Sequence, residues 1–305
     1  MYPIGIVGDL HVDVHISSRK DNYFQTCLMK IEEVASQCKN VIFLGDVFNR
    51  ETLPNDFLYS FYTHLSYLKL QYGTKFYSII GNHDIPNEDE DNLSKTSLGL
   101  CEVTGLIILI KPDKPINIEG INFYTSYVRL DRCKKHLKTL KLKKDDILLL
   151  HQYFEDGFPG VDVEDLQVGC NKVFLGHNHI PLVGFKKEYD DLTVYRSGSL
   201  LRNSAEEANL TRDIYYYAID DKVNLIKLNC VRPAVDVFTE KAYKQENLHQ
   251  KRFTKSITEV LDKYTNNASV QTKFSIKETL EEINTPEKCM LYIENIYTRI
   301  GETFI

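Results

Sequence analysis

Five short apolar runs, each followed by polar residues of the kind that bind metals, constrain this chain more than any other feature. The runs contain few polar residues, which is typical of strands covered on both faces of a sheet. Their positions, with the polar residues that follow, are 4–7 with Asp9 and His11, 41–44 with Asp46, 76–80 with Asn82, His83 and Asp84, 147–150 with His151, and 173–175 with His177 and His179. Open sheets place ligands beyond the carboxyl ends of their strands, so we expect these groups to meet at one edge.

The residue types at these strand ends indicate a metal centre with a proton donor beside it. Asp9 and His11 are two residues apart, so on an extended segment their side chains point the same way and both can reach one ion. Asn82 offers a carbonyl oxygen, which a hard cation accepts when carboxylates and imidazoles supply the other ligands. His83 could transfer a proton, and Asp84 could fix its tautomer by accepting a hydrogen bond. For the stretch Asn82-His83-Asp84 taken alone, the alternative to a functional site is a plain loop of turn-forming residues.

The stretches between the apolar runs predict helices and a second group of strands. Apolar residues recur at helical spacing over about 22–37 and about 55–70, which predicts two amphipathic helices. Farther along the chain, 193–197, 213–219 and 223–231 have the character of strands. This second group of strands favours an αβ-sandwich of two sheets over a singly wound fold.

Taken together, the strand-end motifs resemble the calcineurin-like metallophosphoesterase superfamily. The motifs present, in order, are Asp9-x-His11, Gly45-Asp46, Gly81-Asn82-His83-Asp84, His151 and Gly176-His177-x-His179. Within the superfamily the chain is most similar to the SbcD-like double-strand-break-repair nucleases, at 147–152, 197–199 and 226–233. The resemblance implies an α/β fold, a two-sheet αβ-sandwich with a small C-terminal cap and helical region. We therefore expect a metallophosphoesterase (nuclease) domain over 1–228 and a capping, helical, partner-binding region over 229–305.

The resemblance also implies a role for each strand-end residue. The ligands of a first divalent cation would be Asp9, His11 and His179. The ligands of a second would be Asn82, His151 and His177, and the Asp46 carboxylate would bridge the two cations. His83 would protonate the leaving group, with Asp84 orienting its ring. Mixed oxygen and nitrogen ligands suit Mn²⁺, Fe²⁺ or Zn²⁺ better than Mg²⁺, and the resembling family favours two Mn²⁺ ions. Such a pair supports in-line displacement at a phosphoryl group.

The function that the resemblance implies is a metal-dependent DNA nuclease, exonuclease or endonuclease, acting in DNA repair and recombination. The alternative is a phosphoprotein phosphatase or a nucleotide phosphodiesterase. A protein phosphatase is disfavoured because the chain has Asn49-Arg50-Glu51 where those enzymes carry Asp-Arg-Gly. A third class, a metal-poor scaffold that keeps the fold only for binding, is disfavoured because every expected ligand is present.

The segment 129–144 is the most basic part of the chain and a candidate for binding DNA. It holds eight Lys or Arg residues in sixteen, and its spacing predicts an amphipathic helix. The predicted apolar face comprises Leu130, Cys133, Leu137 and Leu140, and the outward lysines are Lys134, Lys135, Lys138 and Lys141. These lysines could follow a phosphate backbone, and a merely solvated face is the alternative. Arg50 is a second candidate for binding phosphate, with a surface ion pair as its alternative.

Composition bears on the compartment and the partners. A formal charge of −6 argues against holding nucleic acid by bulk attraction, although a local basic patch and a metal pair can still act on it. Seven cysteines without CxxC pairs indicate buried thiols in a reducing compartment, so we expect the cytoplasm. No segment approaches the roughly 18 apolar residues of a membrane span, and the N-terminus lacks a signal-peptide pattern, so we expect no membrane association.

Past Pro233 the sequence predicts helices without catalytic residues. Apolar spacing over 253–264 predicts one amphipathic helix, a capping box at 275–278 opens another, and a Thr-Pro pair at 285–286 begins a third. In the resembling family the region after the cap docks on an SMC-like coiled-coil ATPase, so these helices are candidates for that interface. Packing onto the main domain is the alternative, and a homodimer is left open.

Overall fold

The computed structural model describes residues 2–155, 157–205, 210 and 212–242. They belong to one compact unit, Met1–Glu246. The helices predicted at 253–264, after 275 and after 285 lie outside the described residues. The division of the chain between residues 228 and 229 therefore stays a prediction.

Twelve strands among the described residues form two sheets of six. In chain order the strands are β1 (Tyr2–Val7), β2 (Cys38–Phe43), β3 (Lys75–Ser78), β4 (Ile107–Leu109), β5 (Ile116–Ile118), β6 (Ile121–Thr125), β7 (Ile147–His151), β8 (Lys172–Gly176), β9 (Lys186–Tyr189), β10 (Leu192–Tyr195), β11 (Tyr215–Ile219) and β12 (Val223–Lys227). The first sheet has the order β12-β11-β1-β2-β3-β4, and the second has the order β5-β6-β7-β8-β10-β9.

Both sheets are parallel at their centres; the second is antiparallel at both margins, and the first only on its β11–β12 side. In the first sheet β1 to β4 run parallel, whereas β11 pairs antiparallel with β1, with Ile4 opposite Ile219. In the second sheet β6, β7, β8 and β10 run parallel, and β5 and β9 are antiparallel edges. Parallel strands present their carboxyl ends at one edge, which is where the polar motifs follow them.

The described residues form five α-helices, of which the first four lie between strands and the last follows β12. They are α1 (Tyr23–Gln37), α2 (Asn55–Tyr72), α3 (Ser97–Val103), α4 (Leu130–Leu137) and α5 (Ala234–Val237). The predictions for 22–37 and 55–70 are confirmed, and α1 begins at Tyr23 because the Asn22 side chain is its N-cap and accepts the Gln25 N–H. Within the described part of the chain, no helix combines the length and apolar character needed to cross a bilayer.

The core forms three apolar layers, which confirm the predicted αβ-sandwich. The layer between the sheets is built from both of them, for example from Ile4 and Ile6 of β1, Leu149 of β7 and Phe174 of β8. Helices α1, α2 and α3 pack on the outer face of the first sheet. Helix α4 packs on the outer face of the second. Because both sheets are covered on both faces, their central strands are continuous apolar runs.

Candidate metal centre

The polar motifs lie at the carboxyl ends of β1, β2, β3, β7 and β8, as the sequence predicts. Three of these strands come from the first sheet and two from the second. The residues of the motifs therefore converge where the two sheets face each other, although they come from distant parts of the sequence.

The first group of side chains consists of Asp9, His11 and His179. The Nε2 atoms of His11 and His179 lie 2.8 Å apart. The Asp9 Oδ2 atom lies 3.6 Å from His179 Nε2 and 4.0 Å from His11 Nε2. Asp9 is buried, and both of its carboxylate oxygens accept the His177 N–H at 3.1 Å, which fixes the carboxylate in place.

The second group contains Asp46, His151 and His177, with Asn82 beside them. Asn82 Oδ1 lies 3.0 Å from His151 Nε2 and 2.9 Å from His177 Nδ1. These two ring nitrogens are themselves 3.2 Å apart. The opposite nitrogen of His151, Nδ1, donates to the Leu44 carbonyl at 2.7 Å, which turns Nε2 toward the group.

Asp46 joins the two groups. Its Oδ2 atom lies 3.3 Å from His11 Nε2 and also 3.3 Å from His151 Nε2, so one oxygen faces a ring from each group. Its Oδ1 atom accepts the His83 backbone N–H at 2.8 Å. A carboxylate in this position can be shared by two cations, which is the arrangement that the sequence resemblance implies for Asp46.

The protonation states of the buried groups fit a divalent-cation centre. Burial lowers the pKa of His11 and of His177 to about 3, so both rings keep free lone pairs at neutral pH. Burial alone would raise the pKa of Asp46, but the nearby His151 and His11 hold it well below its ordinary value. Burial opposes a charge on His151, whereas the Asp46 carboxylate raises its pKa to about 10, so a cation competes with a proton at that ring.

His83 lies at the solvent-exposed side of these groups. Its Nδ1 atom is 2.9 Å from the backbone oxygen of Asn49, an acceptor, so Nδ1 carries a proton and Nε2 is left for other chemistry. The ring packs edge-on against His11 at 4.7 Å between centroids. His83, His11 and Asp46 also place ligand atoms within 4.8 Å of one another, so the geometry allows His83 as a ligand or as a proton donor.

Asp84 does not orient the His83 ring, which corrects the sequence-based expectation. Its Oδ1 atom accepts the Phe48 N–H at 3.0 Å, and its Oδ2 atom accepts the Gly81 N–H at 2.9 Å. Asp84 is fully buried; its bond from Phe48 joins the segment after β2 to the segment after β3, and its bond from Gly81 closes the turn after β3. It is therefore a positioning residue for the backbone, and the backbone of Asn49 holds the imidazole.

The backbone at the centre is more constrained than extended strand ends would be. His11, Asp46 and His177 have φ values of 49°, 46° and 79°, in the left-handed region that His and Asp tolerate better than most residues. Asp9 and His11 therefore converge through a turn, not along an extended segment as predicted. A Cβ on Gly81 would lie 2.1 Å from the Asp46 backbone nitrogen, so only glycine allows these two segments to approach.

The basic segment forms a shorter helix than its spacing predicts. Helix α4 ends at Leu137, and Lys138 is its C-cap. The chain then turns, and the Leu142 N–H donates to the Val168 carbonyl at 2.8 Å. Lys141 therefore lies beyond the helix, because pairing and packing against the second sheet replace further helical turns.

Two of the residues predicted to bind DNA are held in ion pairs. The ammonium of Lys134 lies 2.7 Å from the carboxylate of Asp165, and its side chain is only 35% exposed. The Arg50 guanidinium lies 2.7 Å from the buried Asp13 carboxylate, while its own side chain stays 58% exposed. The other three lysines of the predicted set are exposed.

Two features beside the centre are not predicted by the sequence motifs. The first is the Asn49 carbonyl, a backbone atom that no residue pattern signals. The second is Tyr153, whose ring centroid lies 4.1 Å from that of His177. A signal for Tyr153 was present, since it follows His151 at the same two-residue spacing that brings side chains to one side of an extended segment.

Comparisons with known proteins identify a family. The family model for calcineurin-like phosphoesterases matches residues 2–196. No curated protein matches the chain. Among solved structures, vacuolar protein sorting 29 from Cryptosporidium parvum is 14% identical with a TM-score of 0.34, covering 74% of this chain and 95% of that one. Another crystal structure is 12% identical with a TM-score of 0.46, covering 74% of this chain and 99% of that one.

Proposed function

Because this chain belongs to the calcineurin-like phosphoesterase family, we propose that it is a metal-dependent DNA nuclease that hydrolyses phosphodiester bonds in repair and recombination. The observation that carries the proposal is the position of Asp46, whose Oδ2 atom is 3.3 Å from one imidazole of each ligand group. The SbcD-like resemblance at 147–152, 197–199 and 226–233 supports DNA as the substrate.

The residues divide the reaction between cation binding and proton transfer. Asp9, His11 and His179 would hold one cation and Asn82, His151 and His177 the other, and Asp46 faces both groups. Two divalent ions, when bound, activate water as the nucleophile and neutralise charge on the phosphoryl oxygens. His83 keeps its Nδ1–H on the Asn49 carbonyl, and its protonated form delivers the Nε2 proton to the leaving alkoxide.

We propose Mn²⁺ as the native ion. The ligand set mixes neutral imidazoles, carboxylates and one amide oxygen, which suits first-row transition ions better than Mg²⁺. The family resemblance favours Mn²⁺ over Fe²⁺ and Zn²⁺. Elemental analysis of the protein as purified, followed by chelation and reconstitution with each ion, tests the choice.

The proposed activity is tested with the purified full chain and Mn²⁺ on three substrates. These are linear duplex DNA, a nitrophenyl phosphodiester and a phosphoserine peptide. We expect cleavage of the DNA and of the diester, no phosphate release from the peptide, and loss of both activities with a chelator. Faster turnover of the peptide would favour a phosphoprotein phosphatase. Cleavage of the small diester without cleavage of DNA would favour a nucleotide phosphodiesterase.

Charge reversal at the exposed lysines Lys135, Lys138 and Lys141 is expected to weaken duplex binding in a salt-dependent way. The slope of log K against log salt is negative, and for every lysine that neutralises a DNA phosphate the reversal should make it less steep by about 0.9. Lys134→Glu should change the slope less, because its ammonium is already paired with Asp165. Binding measured at several salt concentrations gives the slopes.

The matched control for this experiment reverses the charge of three lysines at the end of the first sheet that lies opposite the candidate metal centre. Lys39 and Lys75 lie near the starts of β2 and β3, and Lys222 lies in the turn between β11 and β12. Their reversal changes net charge equally but should leave the slope for DNA nearly as it was. Equal slopes for the two triple variants would mean that the segment 129–144 is only a solvated face.

We also propose the partners and compartment that the resemblance implies. An SMC-like coiled-coil ATPase would bind the C-terminal helices, which lie outside the described residues. A homodimer is the assembly to test first, by the solution mass of the full chain. The described cysteines are free thiols and most are buried, which supports a reducing compartment such as the cytoplasm.

A further inference from the structure

A stacked pair of aromatic rings lies beside the metal centre. The rings of Tyr153 and Phe158 have centroids 5.0 Å apart and an interplanar angle of 29°. On its other side, Tyr153 meets the ring of His177 at 4.1 Å and 68°. Phe158 is 44% exposed. A row of rings therefore leads from a candidate metal ligand to the protein surface.

The segment that carries Tyr153 is anchored. The Val161 N–H donates to the Tyr153 carbonyl at 2.9 Å, and Phe154 and Val161 form a β-bridge. Phe154 is buried, at 1% exposure. The carboxylate of Glu155 accepts the Tyr189 hydroxyl at 2.8 Å. A ligand that binds the aromatic pair therefore meets a Tyr153 ring whose position is set beforehand, with Phe158 stacked on it.

We propose that Tyr153 and Phe158 form a base-stacking site for the nucleotide that adjoins the scissile phosphate. The inference rests on the proposed function and refines it, since it names a nucleoside as the group recognised next to the phosphodiester. Phe158, the exposed member of the pair, presents a flat apolar ring, and such a surface suits a planar heterocycle better than a peptide. Stacking accepts any base, and each stacked base changes binding by about 5- to 150-fold.

Two small substrates that differ only in the nucleoside test the proposal. They are thymidine 5′-(p-nitrophenyl phosphate) and methyl p-nitrophenyl phosphate, which share the phosphodiester and the leaving group. We expect the full chain with Mn²⁺ to prefer the thymidine ester. Phe158→Leu should lower the ratio of kcat/KM for the thymidine ester to that for the methyl ester by about 5- to 150-fold, mainly through KM.

Three further variants separate stacking from structural damage. Tyr153→Phe should keep the preference, because stacking needs the ring and not the hydroxyl, whereas Tyr153→Leu should lose it. Tyr59→Leu removes an exposed aromatic ring from α2, at 72% exposure, and should leave the ratio as it was. Metal content and melting temperature of each variant show whether the centre is intact.

The outcomes distinguish this proposal from the proposed function. If the unmodified chain hydrolyses both esters equally well, the diesterase function stands and the stacking site is refuted. An unchanged ratio in Phe158→Leu refutes it too, as does an equal loss on both esters. If the chain hydrolyses neither ester, the function fails and the stacking site fails with it.

Discussion

Asp46→Asn is expected to remove nearly all activity together with at least one metal ion. Asparagine keeps the size of the side chain, tolerates the positive φ of this position and keeps an oxygen for the His83 N–H. It removes only the charge that faces both His11 and His151. A metal supplies several kcal/mol of transition-state stabilisation, so turnover of a nitrophenyl phosphodiester should fall by roughly 10³-fold or more.

The readouts for Asp46→Asn include metal content as well as rate. Because ions bind the folded form, Mn²⁺ should raise the melting temperature of the parent protein and raise that of the variant much less. Asp146→Asn is a matched control, since it changes a buried carboxylate that is not part of either ligand group. An equal melting shift in parent and Asp46→Asn would rule out the bridging assignment.

His83→Ala is expected to keep both metals and lose about 10²- to 10⁴-fold in DNA cleavage. The loss should depend on the leaving group. An alkoxide leaving from DNA needs a proton in the transition state, whereas a nitrophenolate is stable without one. The rate on a nitrophenyl phosphodiester should therefore fall far less than the rate on DNA.

The leaving-group comparison distinguishes the two roles that the geometry allows for His83. If His83 is a ligand, elemental analysis will show fewer bound ions and both substrates will slow together. His64→Ala is a suitable control, because His64 lies on α2 and contacts the Leu28 carbonyl, away from both ligand groups. It should have no effect on either substrate.

The sequence was sufficient to predict the sandwich and the convergence of the motif residues at the ends of its strands, because both depend on local patterns. A strand covered on both faces must be an apolar run, and a polar residue at its carboxyl end must face the sheet edge. Helix α1 was equally predictable, since Asn22 is a standard N-cap and the apolar spacing continues to its end.

Predictions failed where distant parts of the chain decide the local structure. The basic helix ends at Leu137 because the following residues pair with the Val168 segment, which local spacing cannot show. Asp84 follows His83 in sequence, but its carboxylate joins the backbones after two strands. The acceptor for the imidazole is a carbonyl oxygen, which every residue type carries.

The pairing of β1 with β11 has a consequence for how the protein is made. Ile4 pairs with Ile219, so β1 stays open along one side until nearly all of both sheets has left the ribosome. At 5–20 residues per second that delay is on the order of ten seconds or more. Pairing between such distant residues also slows folding, and an open strand edge invites wrong pairing. Nascent chains that stall before Tyr215 are thus the form of this protein with most need of a chaperone.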